Sequence, residues 1–329
     1  MSLQDAVLKG ERLAVSRLLT AVENDTAEGQ AALNELFVHT GKAHLIGITG
    51  APGTGKSSLV NQIALHYRKA ATPLNIAIVA VDPSSPFTGG AVLGDRVRMR
   101  ELSGDSGVFI RSMATRGSLG GLATATAGMT QVLDAAGFDV ILIETVGAGQ
   151  SEVEVAKLAH TVLVVDVPGL GDDVQAIKAG ILEIADILVL NKADRPGVEA
   201  AERALLGMLK LGHPTKHLVQ HHGKLEEVLA PAEAVTDDWL IPIRRTVATD
   251  GEGLPELLEV MGKHKAHLQH TGDWQRRERA RLHTQLQDLV QHSLMTEWRG
   301  RVTDAQYTQA LDKLVARELS PRQALQTLL

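Results

Sequence analysis

The feature that most constrains the fold of this chain is a complete phosphate-loop motif, GxxxxGK[ST]. It runs Gly50-Ala51-Pro52-Gly53-Thr54-Gly55-Lys56-Ser57, and Ser58 follows it. An apolar run at 44–49 precedes it and helically spaced apolar residues follow it, which is typical of a buried parallel strand leading into a helix. Backbone N–H groups of such a loop surround anionic oxygens, and the helix N-terminus adds its dipole. We expect Lys56 to reach the β- and γ-phosphates and Ser57 to bind Mg²⁺, so the motif predicts a nucleoside triphosphate site.

A second motif, Asn191-Lys192-Ala193-Asp194, indicates which base is bound. It follows another buried-strand run, and NKxD in that position is the guanine-reading motif of GTPases. The Asp194 carboxylate can accept hydrogen bonds from guanine N1–H and N2–H₂, whereas adenine would leave it unpaired at a cost of several kcal/mol. We expect Lys192 to lie along the base and Asn191 to brace the loop. The motif therefore favours GTP and GDP over ATP.

Composition excludes several classes of function. The net charge of −6 and the pI of about 6.1 argue against a general nucleic-acid-binding protein. The chain has no cysteine, and so no disulfide or thiolate metal site. The first residues lack the apolar core of a signal peptide, and no apolar run reaches membrane-spanning length. We therefore expect a cytoplasmic protein with no membrane partner.

The hydrophobic pattern divides the chain into three regions. Residues 1–40 have apolar positions at helical spacing and predict two helices, the second containing Leu33, Leu36 and Phe37. Residues 41–270 alternate strand-like and helix-like runs, and residues 271–329 are helical again. The strand-like runs lie at 44–49, 74–81, 107–113, 139–145, 161–167, 186–190 and 240–247. The pattern predicts an α/β fold, a mostly parallel, doubly wound P-loop GTPase sheet with helical N-terminal and C-terminal extensions.

The C-terminal region carries an apolar stripe whose role the pattern leaves open. Leu282, Leu286 and Leu289 recur at helical spacing, so they lie on one face of a helix. That face can pack on the core of the same chain, or it can form a dimerisation or partner-binding arm. A GTPase domain at 41–270 flanked by helical segments is compatible with both.

Three carboxylates are placed to hold a metal ion. Asp82 and Glu144 end two of the strand-like runs, and Asp95 lies in the loop after the first of them. Mg²⁺ prefers oxygen ligands, and the carboxyl ends of adjacent parallel strands meet at one edge of a sheet. We therefore expect a magnesium site there, with the backbone N–H of Gly147 on the γ-phosphate. Each carboxylate could instead be a helix N-cap or a solvated loop charge.

Longer segments around these residues carry a resemblance to a known family. They are Val81-Asp82-Pro83-Ser84-Ser85-Pro86-Phe87-Thr88-Gly89-Gly90, Leu93-Gly94-Asp95-Arg96-Val97-Arg98-Met99 and Glu144-Thr145-Val146-Gly147-Ala148-Gly149-Gln150-Ser151-Glu152. The chain resembles the MeaB GTPases, a family that includes the human methylmalonic aciduria type A protein and whose members were once described as arginine/ornithine transport kinases. The resemblance implies a homodimeric GTPase that chaperones an adenosylcobalamin-dependent acyl-CoA mutase, gates cofactor loading and protects the mutase. The adenosylcobalamin belongs to that partner.

The resemblance also implies roles for particular residues. It marks 50–58 as the phosphate loop, Asp82, Asp95 and Glu144 as magnesium and switch carboxylates, and 191–194 as the base reader. It marks 168–178 as an additional switch that senses the partner, with Asp172, Asp173, Gln175 and Lys178 as its polar residues. The second base-binding loop departs from the family, because Val247-Ala248-Thr249 has no hydroxyl residue before the alanine. Backbone N–H groups there can still meet guanine O6.

The expected chemistry is GTP hydrolysis with Lys56, Glu144 and Asp95 as the catalytic residues. No glutamine directly follows Gly147 to position the attacking water, so we expect slow hydrolysis that the partner accelerates. The candidates for an arginine finger are Arg96, Arg98, Arg111 and Arg116. Methylmalonyl-CoA, isobutyryl-CoA and hydroxyisobutyryl-CoA mutases are all compatible clients.

Two other functions compete with the mutase chaperone. A metal-inserting GTPase of hydrogenase or urease maturation would need imidazole or thiolate ligands. The histidines that could serve are His213, His217, His221 and His222, spaced like one helix face, together with His264 and His267. A small-molecule or protein kinase would need an acceptor site, for which the sequence has no motif.

Overall fold

The computed structural model describes residues 2–83, 100–102, 104–115, 121–145, 150–169, 183–212, 218–221, 224–227 and 239–329. Nine strands lie within these ranges. They are β1 (His44–Thr49), β2 (Ile76–Pro83), β3 (Val108–Thr115), β4 (Val140–Thr145), β5 (Thr161–Asp166), β6 (Ile187–Asn191), β7 (Leu218–His221), β8 (Lys224–Glu227) and β9 (Ile243–Thr246). Seven of the described strands form one sheet in the order β3-β2-β4-β1-β5-β6-β9.

Every pairing in this sheet is parallel, which confirms the predicted α/β class. The central strand β1 pairs with β4 through Ile46 and Leu142, and with β5 through Ile46 and Thr161. All residues of β1 and β4 are buried, because helices cover both faces, and this explains why these strands are continuous apolar runs. The parallel arrangement brings the ends of β1, β4, β5 and β6 to one edge, where ligands bind in open α/β sheets.

Helices surround the sheet and extend the chain at both ends. They are α1 (Leu3–Leu8), α2 (Arg12–Glu23), α3 (Ala27–Leu36), α4 (Lys56–Lys69), α5 (Gly121–Ala135), α6 (Gln150–Leu158), α7 (Val198–Gly212), α8 (Leu254–Thr271), α9 (Asp273–Arg301), α10 (Asp304–Val315) and α11 (Pro321–Leu328). Two short 3₁₀ turns lie at Phe37–His39 and Arg100–Leu102. Among the described helices, none is long and apolar enough to cross a membrane.

The two faces of the sheet have separate hydrophobic cores. On one face, α2, α3, α5 and α6 pack on the inner strands, with Leu18, Leu19 and Val132 fully buried. On the other face, α4 and α8 pack on the sheet through side chains such as Ile63 and Met261. The N-terminal helices therefore share one continuous core with the sheet.

The N-terminal region differs from its prediction in one respect. It contains three helices, because the chain leaves the helical conformation at Gly10, with φ of 71°, and at Asp25, with φ of 52°. A left-handed residue ends a helix at low cost when it is glycine or aspartate. Phe37 lies in the 3₁₀ turn after α3, and 47% of its surface is exposed. The α-helix thus ends one residue before Phe37, which keeps helical dihedrals and continues it as the 3₁₀ turn.

The antiparallel pair β7–β8 is absent from the sequence prediction. Its register joins Leu218 to Glu227 and His221 to Lys224. The two strands mix polar and apolar residues over four positions each, so they give no buried-strand signal. The helical pattern predicted for the C-terminal region is confirmed by α9, α10 and α11.

Candidate nucleotide site

The phosphate loop joins β1 to α4 in a conformation that requires glycine. Gly50 and Gly55 have φ of 137° and 93°. A Cβ atom on Gly50 would lie 2.1 Å from the Val165 carbonyl oxygen, and one on Gly55 would lie 2.4 Å from Asn191 Nδ2. These distances leave no space for a side chain. The glycines of the motif are therefore explained by contact with two neighbouring strand ends.

Lys56 begins α4, and only 5% of its surface is exposed. Its Nζ donates to the carbonyl oxygens of Gly50 at 2.7 Å and Ala51 at 3.0 Å, which holds the ammonium group over the loop. Thr54 is fully buried, and its hydroxyl donates to Ala51 O. No side chain in the described part of the chain caps α4, whose N-cap is Gly55. The first turn of α4 therefore presents its N–H groups to an anion.

Ser57 and Glu144, two of the predicted magnesium ligands, are in contact in the structure. The Ser57 hydroxyl donates to Glu144 Oε1 at 2.6 Å. Glu144 lies near the end of β4, directly beside Ile48 of β1, and only 4% of its surface is exposed. Next to it, the hydroxyls of Thr145 and Thr49 lie 3.1 Å apart. A buried carboxylate and a hydroxyl thus adjoin the phosphate loop.

The other predicted magnesium ligands are only partly described. β2 extends two residues beyond its prediction, so Asp82 lies within the strand, opposite Ala114 of β3. The backbone of Asp82 is therefore at the same edge of the sheet as Glu144. Asp95 and Gly147 lie outside the described residues.

Asn191 connects three loops of the site. Its Nδ2 donates to the Thr54 carbonyl at 2.8 Å. Its Oδ1 accepts from the Thr246 hydroxyl at 3.1 Å and from the Ala248 backbone N–H at 3.0 Å. Asn191 is 2% exposed and Thr246 1%, so these bonds are shielded from water. One side chain thereby fixes the phosphate loop, the NKxD loop and the second base-binding loop relative to one another.

The remaining NKxD residues flank this junction. Lys192 has φ of 55°, and its Nζ donates to Gly53 O at 2.6 Å. Asp194 is exposed, as a residue reading a bound base from solvent would be. In the second loop, Val247 and Ala248 are buried and Thr249 is exposed.

Two residues near the site were not predicted from the sequence. Thr246, one position before the loop assigned as base-binding, braces Asn191 through its hydroxyl. Asp166 ends β5 beside Leu190 of β6, and burial raises its pKa, although the Val167 N–H opposes the shift. For Asp166 the signal is a polar residue that ends an apolar strand at this edge of the sheet. The strand that ends in Thr246 contains two arginines and gives no such signal.

The proposed additional switch cannot be placed, because Asp172, Asp173, Gln175 and Lys178 lie outside the described residues. Pro168 and Gly169 follow β5 after one intervening residue, Val167, and Gly169 has φ of 79°. The segment therefore leaves the sheet at the same edge as the phosphate loop.

One residue of the predicted histidine cluster lies within the described part of the chain, and it is not helical. His221 lies in strand β7, so that interpretation is wrong for this residue, and His213, His217 and His222 lie outside the described residues. His264 is buried and bonded to Thr161, and His267 contacts Trp239. Within the described ranges, no group of three or more His, Cys, Asp or Glu residues is arranged to hold a metal ion.

The geometry of the nucleotide site agrees with a match between this chain and a protein-family model. Residues 15–303 match the family model described as methylmalonyl Co-A mutase-associated GTPase MeaB. This chain belongs to the MeaB family. The family resemblance inferred from the sequence is thereby confirmed, and so is its classification as a GTPase that binds guanine nucleotides.

Individual relatives support the MeaB assignment. A Pyrococcus horikoshii protein, provisionally named a GTPase, is 46% identical over 282 residues, covering 86% of this chain and 83% of the relative. GTPase ArgK of Escherichia coli is 30% identical, covering 97% of this chain and 92% of ArgK. The mouse methylmalonic aciduria type A homolog, a mitochondrial protein, is 27% identical, covering 99% of this chain and 78% of the homolog.

A solved structure shows the same fold. The crystal structure of an LAO/AO transport system kinase superposes with a TM-score of 0.69 at 23% identity, covering 99% of this chain and 95% of that chain. The MeaB chain described here therefore has the overall architecture of that protein.

Proposed function

We propose that this protein is a guanine-nucleotide switch whose slow GTP hydrolysis is coupled to an adenosylcobalamin-dependent acyl-CoA mutase. The observation that carries the proposal is the position of Asn191, which joins the phosphate loop to both base-binding loops. Such a junction fixes the distance between the groups that bind phosphate and those that read the base. Asp194 then selects guanine, and Lys56 with the first turn of α4 binds the phosphates.

The oxygen donors beside the phosphate loop fit Mg²⁺, which binds hydroxyl and carboxylate oxygens. We assign it to Ser57 and Glu144, with Asp82 and Asp95 contributing from β2 and the following loop. When bound, the ion neutralises charge on the β- and γ-phosphates. Glu144 accepts a hydrogen bond of 2.6 Å from the Ser57 hydroxyl. Through this bond it orients the serine oxygen toward the nucleotide. We further propose that Gly147 donates its N–H to the γ-phosphate.

Coupling to a mutase rests on the family name, which associates these GTPases with methylmalonyl Co-A mutase. In this proposal, the GTP-bound protein holds the mutase open for adenosylcobalamin loading and hydrolysis times its release. Residues 168–178 carry the signal, because they leave β5 at the edge that holds the phosphate loop. Asp172, Asp173, Gln175 and Lys178 would make the polar contacts to the partner.

We also propose that the protein is a homodimer and that residues 271–329 form its dimerisation arm. Leu286 of the predicted apolar stripe is 62% exposed, so the stripe does not pack fully on its own core. Leu294, two turns further along α9, is 61% exposed. A groove of about 1240 Å³ lies between α9, α3 and α5. In this organisation, residues 1–40 complete one core of the GTPase domain at 41–270.

Phosphate release from GTP, measured with and without a candidate mutase, tests the function. We expect slow release by the protein alone and an increase of about tenfold or more with adenosylcobalamin-dependent methylmalonyl-CoA mutase, the low end of what an ordered switch or supplied arginine provides. ATP in place of GTP, and an acyl-CoA enzyme that uses no cobalamin, are the controls. Fast release by the protein alone would contradict a switch timed by its partner.

A further inference from the structure

A buried polar cluster lies at the edge of the sheet opposite the nucleotide site. There, the first turns of α9 meet the amino ends of β1, β5 and β6. Arg277 of α9 makes two bonds to the Asp186 carboxylate, at 2.7 and 2.8 Å, and a third to the His160 carbonyl at 3.0 Å. Asp186 also accepts from the Val162 N–H at 2.8 Å. These contacts fasten α9 to the strands that carry the nucleotide loops at their other ends.

His160 occupies the centre of this junction with both ring nitrogens engaged. Its Nδ1 accepts from the backbone N–H of Leu45 at 3.1 Å, and its Nε2 lies 3.2 Å from Glu278 Oε2. Its ring stacks on Trp274 with centroids 3.9 Å apart. A backbone N–H can only donate, so Nδ1 carries no proton and Nε2 donates to Glu278. The neutral ring therefore bridges β1 to α9.

A second proton would break this bridge. It would sit on Nδ1 and face the Leu45 N–H, so two donors would oppose each other where one bond now exists. His160 is only 2% exposed, so little water can compensate the lost bond. Leu45 is in β1, five residues before the phosphate loop, and Glu278 and Trp274 are in the first turns of α9.

Charged or titratable groups on the elements packed against His160 affect the protonation of its ring. Glu278 favours the protonated ring, whereas Arg277 and Arg281 of α9 oppose it. On β1, the buried ring of His44 lies 6.2 Å from His160. The other charged or titratable groups of the cluster are His264 and Lys265 of α8 and Asp186 before β6.

We propose that His160 is a pH-sensitive latch: the neutral ring holds the first turns of α9 against β1, and protonation releases them. Burial lowers the pKa of His160 below its ordinary value of 6.5, against the opposing effect of Glu278. The first turns of α9 are therefore released at pH values below 6.5. Because α9 has 29 residues and so extends about 40 Å, a small rotation at its base displaces its far end widely.

Hydrogen exchange of the full-length protein at pH 7.5 and 5.5, corrected for the intrinsic rate, tests the latch. In the wild type we expect protection of 44–49 and 273–281 to fall by up to about tenfold per pH unit as the pH drops below 6.5, the ordinary pKa that the ring regains on release, while α10 stays unchanged. The matched variant is His160→Asn, whose Oδ1 can accept from the Leu45 N–H and cannot be protonated. It should keep the same protection at both pH values.

Two results would overturn the proposal. One is unchanged wild-type protection at pH 5.5, and the other is an equal loss in His160→Asn. If that variant does not fold, as judged by circular dichroism, Glu278→Gln replaces it. Removing the carboxylate that stabilises the protonated ring makes the protonated, closed latch less stable, so Glu278→Gln should lose at least as much protection between pH 7.5 and 5.5 as the wild type, and a smaller loss or none would contradict the latch.

Discussion

At the scale of single residues, the site is organised by side chains that bond to distant parts of the chain. Asn191 bonds to Thr54, Thr246 and Ala248, and its role as a brace was predictable because NKxD has a known geometry. Thr246 was not predictable in the same way. Its hydroxyl bonds to a side chain 55 positions away, and no local pattern encodes such a contact.

The exposed carboxylate of Asp194 carries the proposed base selectivity. Asp194→Asn should weaken GTP binding by about 2–4 kcal/mol, because the amide cannot accept both guanine donors. It should favour xanthosine nucleotides, whose additional carbonyl pairs with the amide N–H₂. Calorimetric titration with GTP and XTP measures both effects, and Asp312→Asn, an exposed change on α10, is the control. Unchanged GTP affinity in Asp194→Asn would refute the guanine assignment.

Thr246 offers a test of the loop junction. Thr246→Val keeps the shape of the side chain and removes one buried hydrogen bond, so it should lower the free energy of unfolding by about 1 kcal/mol. It should also weaken GTP binding, because Asn191 is held less firmly. Thr246→Ser retains the hydroxyl and serves as the control. Urea denaturation and nucleotide titration are the measurements, and equal behaviour of the two variants would show that the bond has no role.

At the scale of elements, the strands of the sheet were predictable and the small hairpin was not. Strands buried on both faces must be apolar throughout, so β1, β4 and β5 stand out in the sequence. The hairpin β7–β8 lies outside the main sheet, and its mixed residues carry no such signal. The helix breaks at Gly10 and Asp25 depend on left-handed backbone conformations that the apolar spacing does not reveal.

The segment after β5 is the element through which we expect the partner to act. Lys178→Ala should leave basal GTP hydrolysis and folding nearly unchanged, since no nucleotide contact is assigned to Lys178. It should abolish most of the acceleration by the mutase. Phosphate release with and without mutase is the measurement, with Lys157→Ala on the exposed side of α6 as the control. If Lys178→Ala is stimulated normally, or if its basal rate collapses equally, Lys178 does not couple the two proteins.

At the scale of the whole molecule, the exposed stripe on α9 predicts self-association. Leu286→Glu combined with Leu294→Glu places two charges on that stripe and should convert a dimer into a monomer, because burying unpaired carboxylates is costly. Sedimentation velocity measures the change. Leu13→Glu, at an 84% exposed position on α2, controls for added charge. A dimer that persists in the double variant would exclude this stripe as the interface.

The buried junction at the base of α9 also sets the pH dependence of global stability. Burial lowers the pKa of His160, and that of His44 well below 6.5. The unfolded chain therefore binds more protons as the pH falls below 6.5, and the free energy of unfolding decreases by up to about 1.4 kcal/mol per pH unit for each histidine. Near neutral pH, the stabilising contribution of the two neutral histidines is fully present.

The Glu278 carboxylate extends the pH dependence of the free energy of unfolding to more acidic pH. Burial alone would raise the pKa of Glu278, but hydrogen bonds from His160 and Arg281 lower it to about 2. Its stabilising effect is present above about 4.5 and is lost as the pH falls toward 2. Urea unfolding from pH 7.5 to 5.5 thus lies above the range in which Glu278 acts. His160→Asn should flatten the slope there and the exposed His270→Gln should not, and equal slopes in both variants would assign the dependence to other groups.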